Sequence, residues 1–215
     1  MRCSPFAFAC FVLPSGVIAA CFLLSTHLEQ IPVCFPFFSG CTSISAAARQ
    51  EPAIHLFRVV MLPLTTVLAG FWVVSRVWLL RMGASSRDAA TVCWLGVTGA
   101  VFLVLYVVFL GTHGQIYAYL RRFGTTIYFG GTGLAQLMLA AQLQKLRPQP
   151  IAKGMLWIST VMLIMGIIYI PAAHAFSAAN VENIIEWNFA LLMHMIFGLV
   201  SILWRRDALR LTVTT

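Results

Sequence analysis

Thr91 to Gly111 reads TVCWLGVTGAVFLVLYVVFLG, without one charged side chain. At 1.5 Å per residue a helix over this run reaches about 31 Å, close to the thickness of a bilayer's hydrocarbon core. A strand of a membrane barrel would alternate apolar and polar residues over about ten positions. This run does not alternate, so it reads as a helix. Five more runs of the same kind accompany it. They are Phe6 to Leu24, interrupted by Pro14; Leu56 to Leu80, containing Pro63; Thr125 to Leu143; Met155 to Phe176, with Pro171 near its end; and Ile184 to Trp204. The expectation is an all-α integral membrane protein, a bundle of six transmembrane helices in a single domain 1–215. Its spans fall at 6–24, 56–80, 91–111, 125–143, 155–176 and 184–204, and its outer loop at 25–55.

Composition agrees. Of 215 residues, 60% are hydrophobic and 9% charged, with a mean hydropathy of +0.91. A soluble domain carries roughly 25% charged residues, so lipid must cover part of this surface. Six spans nearly fill the chain and leave no room for a second, soluble domain. The net charge is +8. On a soluble protein that would raise nucleic acid as a partner. Here the basic residues lie between apolar runs, the pattern of membrane orientation, and no nucleic acid is expected.

Arg2, Arg76, Arg81, Arg87, Lys145, Arg147, Lys153, Arg205, Arg206 and Arg210 fall on one side of the expected bundle. Arg49, Arg58, Arg121 and Arg122 fall on the other. Ten against four puts the first side, with both termini, in the cytoplasm. A second reading of the first run stays open. Arg2 before an apolar stretch resembles a signal peptide, and Ile18-Ala19-Ala20-Cys21 fits a lipoprotein cleavage pattern. Cleavage would leave five spans and an outer N-terminus. The retained helix is preferred, because strings of small residues are common where membrane helices pack.

Pro32, Pro36 and Pro52 prevent the outer loop from being one helix. Its Cys34-Phe35-Pro36-Phe37-Phe38 segment is apolar for a loop, and should dip into the interface or fold over the bundle. Cys34 and Cys41 share this loop and are disulfide candidates if it faces an oxidising compartment. Cys3, Cys10, Cys21 and Cys93 lie in or beside apolar runs and read as small buried residues.

Ionisable groups at or inside the rim of a membrane helix are expensive, so each one needs a reason. His27, His55, His113 and His174 fall on the outer side, with Glu29, Glu51, Glu182 and Glu186. His194 sits in the middle of the last span. Glu186 and His194 are eight positions apart, about 12 Å along a helix and about 80° around it. They can line an outer-leaflet cavity and are the catalytic candidates if there is chemistry. The competing reading is a helix cap at Glu186 and a packed, hydrogen-bonded His194. His55 and Arg58 share a helix face. Arg58 fits phosphate recognition, or the snorkelling of a long side chain; for Arg121 and Arg122 snorkelling is preferred. Scattered histidines without close spacing do not make a metal site, and none is expected. No Gly-x-Ser-x-Gly elbow is present. Gly130-Gly131-Thr132-Gly133 lacks the Lys-Ser/Thr of a P-loop and reads, with Ala135, as a close helix-packing face.

Ser43-Ile44-Ser45-Ala46-Ala47-Ala48-Arg49, then Pro52, then Phe57-Arg58, resembles the first luminal loop and second-helix start of the Frag1/DRAM/Sfk1 family. A last helix with Glu186-Trp187, and His194 further on, fits the same order of features. The resemblance spans nearly the whole chain. It implies a six-helix membrane protein that acts on or senses lipids, as eukaryotic members linked to remodelling of glycosylphosphatidylinositol anchors do. It carries over Ser43, Ser45, Arg49, Pro52, Arg58, Glu186 and His194, none with an assigned catalytic role. The chain is short for the family and carries no endoplasmic-reticulum retention signal at its end, so it looks like a compact, bacterial-type member of the inner (plasma) membrane.

The leading expectation is therefore lipid head-group binding, sensing or remodelling at the outer leaflet. Arg49, Arg58, His55, His113 and His174 are the head-group candidates, membrane lipids the partner, and no cofactor is needed. A non-catalytic structural or regulatory protein, acting through a partner or as an oligomer, is the alternative. A small oligomeric transporter comes third, since Pro63 and Pro171 do not fall in matching halves of a repeat.

Overall fold

The computed structural model describes residues 2–175 and 179–209, without the side chains of 169–175 and 179. Among the described residues, six long helices carry the fold: α1 (Ser4–His27), α4 (Ala53–Arg81), α5 (Ser86–Phe109), α6 (Gln115–Leu146), α7 (Pro150–Ala175) and α8 (Ala179–Arg206). Two short ones, α2 (Pro36–Ser39) and α3 (Ile44–Ala48), interrupt the connector between α1 and α4. The long helices form a ring in chain order. Each packs on the next, α8 closes against α1, and α6 also reaches across to α8.

Five of the six are long and apolar enough to cross a membrane, with mean hydropathies from 1.7 to 2.4 over their best segments. The exception is α6, which at 32 residues is also the longest. All six helices begin before the apolar run that predicts them, α6 by ten residues. A run marks where side chains meet lipid, whereas backbone hydrogen bonding continues through any residue that tolerates a helix. Pro14 and Pro63 lie inside α1 and α4 without ending them.

Small residues bring α5 and α6 together. A Cβ on Gly99 would meet Thr132 Oγ1 at 2.7 Å, one on Gly124 the Tyr106 nitrogen at 2.8 Å, and one on Gly131 the Leu95 carbonyl at 3.0 Å. Backbones this close gain dispersion contacts that a side chain would block. The Gly130–Gly133 segment divides its duties. Gly131 faces α5, a Cβ on Gly133 would lie 3.3 Å from the Phe189 ring of α8, and one on Gly130 would meet nothing within 4 Å. Trp72 lies over Gly96 and packs with Phe71 and Phe197, and Trp204 stacks on Phe71, in an aromatic core between α4, α5 and α8.

Both described ends of the chain meet at one end of the ring. The Cys3 N–H donates to the Leu209 carbonyl at 3.0 Å, and Ser201 Oγ donates to the Ser4 carbonyl at 3.0 Å. Asp207 ties the same end together, accepting from Trp78 Nε1 at 2.9 Å and from Arg147 at 2.8 Å. We refer to it as the terminal end and to the opposite one, under residues 28–52, as the connector end.

Candidate functional site at the connector end

The connector folds over the ring as a lid, and α8 holds it. Cys34 and Cys41 are joined in a disulfide. Inside the closed segment, Asn188 Nδ2 donates to the Phe37 carbonyl at 2.9 Å and Asn183 Nδ2 to the Gly40 carbonyl at 2.7 Å. Just beyond it, Trp187 Nε1 donates to the Thr42 carbonyl at 2.9 Å. Phe37 turns inward onto the Trp187 ring, with centroids 5.3 Å apart. Gly40 must be glycine on two counts. Its φ is +59°, and a Cβ would overlap the Asn180 backbone. From α1, Ser25 Oγ donates to the Ala47 carbonyl at 2.8 Å.

Glu186 completes the clamp. Its carboxylate accepts from the backbone N–H groups of Ile44 and Ser45, the first two residues of α3. Ser43 Oγ accepts from Ala46 N–H at 3.0 Å, and the Ser43 carbonyl accepts from Ala47 N–H at 3.1 Å. Of the N–H groups that begin a helix without a partner inside it, those of Ile44, Ser45 and Ala46 are thus satisfied, and Ala47 makes the first bond within the helix. An anion at a helix N-terminus also has the favourable sign for the helix dipole. The helix that Glu186 caps is α3 and not its own α8.

The basic residues follow the same logic at an opposite helix end. The Arg58 guanidinium donates to the carbonyls of Val108 at 3.1 Å and Leu110 at 2.8 Å. Arg121 donates to the Phe109 carbonyl at 3.4 Å. These are the last carbonyls of α5, where positive charge is favourable. Both arginines therefore have protein partners, while Arg58 Nε is buried without one. Arg49, at the end of α3, is exposed, lies within electrostatic reach of Glu186, and donates to the Ser45 carbonyl at 3.3 Å. His55 is exposed and 3.6 Å from Glu51; His27 and His113 are exposed as well. The His174 side chain lies outside the described residues.

His194 is 3% exposed, and its Nδ1 is 3.1 Å from Ser15 Oγ of α1. One residue earlier, the Met193 carbonyl accepts from Gln136 Nε2 at 2.9 Å. The centre of α8 is therefore bonded to α1 and α6 at successive positions. Glu186 and His194 do line one cavity, with Tyr106, Tyr128 and apolar neighbours. Its volume is about 20 Å³, room for one water molecule. Small-molecule sites run to several hundred Å³, so a lipid head group does not fit there. An open groove of about 410 Å³ lies at the start of the connector, lined by Thr26 and by residues 29–33. Beside it the lid turns apolar side chains outward: Val33 is 86% exposed, Phe35 61% and Phe38 80%. Among the described residues, no three His, Cys, Asp or Glu side chains gather as metal ligands do.

Sequence reasoning places Glu186 and His194 on one cavity, as observed, and leaves open a packed, hydrogen-bonded His194, which is the arrangement seen; its other reading of Glu186, a cap at the start of its own helix, does not hold, because α8 begins at Ala179 and Glu186 meets α3 instead. It misses Asn183 and Asn188. Two carboxamides near the start of an apolar helix are a signal for backbone partners, but they do not say which loop supplies them. Comparison of the chain with protein-family models, with curated proteins and with solved structures returns no match.

Proposed function

We propose that this chain is a six-span membrane protein of the Frag1/DRAM/Sfk1 type that binds lipid at its connector end and performs no chemistry on it. The connector end then faces the outer leaflet, and both termini are cytoplasmic. The observation that carries lipid binding is the lid. It is held by a disulfide and by Asn183, Glu186, Trp187 and Asn188, yet it leaves Val33, Phe35 and Phe38 uncovered. A segment this constrained could have turned those side chains inward. Large apolar groups held outward at the rim of a membrane protein fit the interfacial layer. The groove of about 410 Å³ beside them has room for a head group, which the internal cavity lacks.

Non-catalytic action follows from the partners of the two candidate residues. Glu186 is held by α3 and His194 by Ser15, and neither is aimed at a space that admits a substrate. Six crossings are supported by α6 itself. Between Arg122 and Lys145 it carries no charge, a stretch of about 33 Å. Thr132 and Gln136, in its middle, are fully buried, and Gln142 and Gln144, near the terminal end, are partly buried. Its exposed positions in that stretch, Phe123, Thr126, Gly130, Leu134 and Ala141, are uncharged.

The test is comparative lipid mass spectrometry of a deletion strain and of lipid retained by the purified protein. Wild type is expected to restore the lipid profile and retain lipid, His194→Ala to do so if it folds, and Phe35→Ser/Phe38→Ser to fail. An unchanged lipidome in the deletion strain, together with a lid variant that retains lipid like wild type, would sink the proposal.

A further inference from the structure

Two tryptophans near the terminal end face outward: Trp94 on α5 is 69% exposed and Trp157 on α7 is 65% exposed. Each has an exposed basic residue beneath it on the same helix face. Arg87 is seven residues before Trp94, two turns and about 10.5 Å toward the terminal end. Lys153 is four residues before Trp157, one turn and about 6 Å. Between α5 and α7 runs α6, which packs on both and ends with the exposed Lys145. The α5–α6–α7 flank therefore presents three cations at its rim, with two indoles one to two turns deeper. None of the three cations is in an ion pair among the described residues, whereas the neighbouring Arg147 is taken by Asp207. Of the acids at this end, Asp207 is engaged by Arg147 and Trp78, and Asp88 is partly buried and follows Arg87 directly, so it points about 100° away around α5.

Indoles settle at the glycerol and carbonyl level of a bilayer, and cations just beyond them meet the phosphates. We propose that this flank is a docking surface for anionic phospholipids, with Arg87, Lys145 and Lys153 on the phosphates of adjacent head groups and Trp94 and Trp157 against the upper acyl chains. The inference needs the membrane-spanning reading but not the lipid role of the connector end. A bare orientation signal requires only net positive charge near the spans. It does not require the cations to stand in register with exposed indoles on adjacent helices.

The test uses the purified full-length chain in mixed micelles, with tryptophan quenching by phospholipids brominated in their acyl chains. Phosphatidylglycerol is expected to reach half-quenching at a mole fraction about fivefold lower than phosphatidylcholine, and added salt should erase the difference. The R87Q/K145Q/K153Q variant should lose the preference, and W94F/W157F should lose most of the quenching itself. Equal quenching by the two lipids in wild type, or a preference that survives high salt, would overturn the proposal. So would a folded triple variant that keeps the preference. If the triple variant fails to fold, the salt titration of wild type still decides. A failed lid experiment with a positive result here would separate the two lipid readings.

Discussion

Position 186 holds a carboxylate where the chain must finish a helix that cannot finish itself. Residues 44–48 make little more than one turn, so α3 has few internal bonds and depends on its cap. Glu186→Ala removes the acceptor for two N–H groups and is expected to cost about 1–3 kcal/mol, read as a lower midpoint in a detergent thermal melt. Glu186→Gln keeps an acceptor oxygen and should lose less than half of that. A Gln variant as damaging as Ala would mean that charge, not hydrogen bonding, does the holding. Arg58 is the mirror case at the end of α5. Arg58→Met keeps length and apolar stem but leaves the Val108 and Leu110 carbonyls without their donor, for an expected loss of about 1–2 kcal/mol. Arg121→Met should cost less, since its contact is the longer one at 3.4 Å. The pair should be non-additive, because both arginines serve neighbouring carbonyls.

At the scale of elements, the lid is the informative piece. It is tied to α8 through carbonyls of Phe37, Gly40 and Thr42, so its shape matters more than its side chains. Opening the disulfide with Cys34→Ser/Cys41→Ser frees a loop of a few residues, which chain-entropy reasoning values at about 2 kcal/mol. Limited proteolysis should then cut within residues 28–52 while the long helices stay protected. Gly40→Ala should give the same pattern with the disulfide intact, because the backbone conformation and the Asn180 contact both reject a Cβ. A lid that stays resistant in both variants would show that α1 and α8 hold it without that geometry. The long helices were legible in the sequence because lipid selects for apolar runs, and each run marks one of them, although 91–111 overruns the end of α5 at Phe109 and Phe176 lies outside the described residues. Legibility falls where partners are remote in sequence. Glu186 finds Ile44 and Ser45, and Arg58 finds Val108 and Leu110, across separations that no local spacing encodes. The alternatives of cap or site for Glu186, and of snorkel or phosphate ligand for Arg58, could be named but not chosen. The choice depends on which helix end stands beside each side chain.

For the whole molecule, the open question is how many times the ring crosses the membrane, and α6 decides it. An average over its residues hides an arrangement that a lipid would not see. Thr132 and Gln136 depress the mean hydropathy, yet both are buried against α5 and α8. The same helix pairs closely with α5 through Gly99, Gly124 and Gly131, so it runs the length of a neighbour that is apolar enough to span. With both described chain ends at one end of the ring, an even number of crossings closes the topology without a re-entrant segment. A reporter active only in the cytoplasm should therefore be silent when fused after Gly114 and active when fused after Gln149. Placed after Ala84 it should be active again, since the α4–α5 turn lies at the terminal end. Equal activity at Gly114 and Gln149 would mean that α6 does not cross, leaving five spans and one end of the chain on each side. That outcome would also part Lys145 and Lys153, which flank the short α6–α7 turn, from the level of Arg87, and with it remove the docking flank at the terminal end. The orientation of the ring and the proposed anionic-lipid surface thus stand on the same helix.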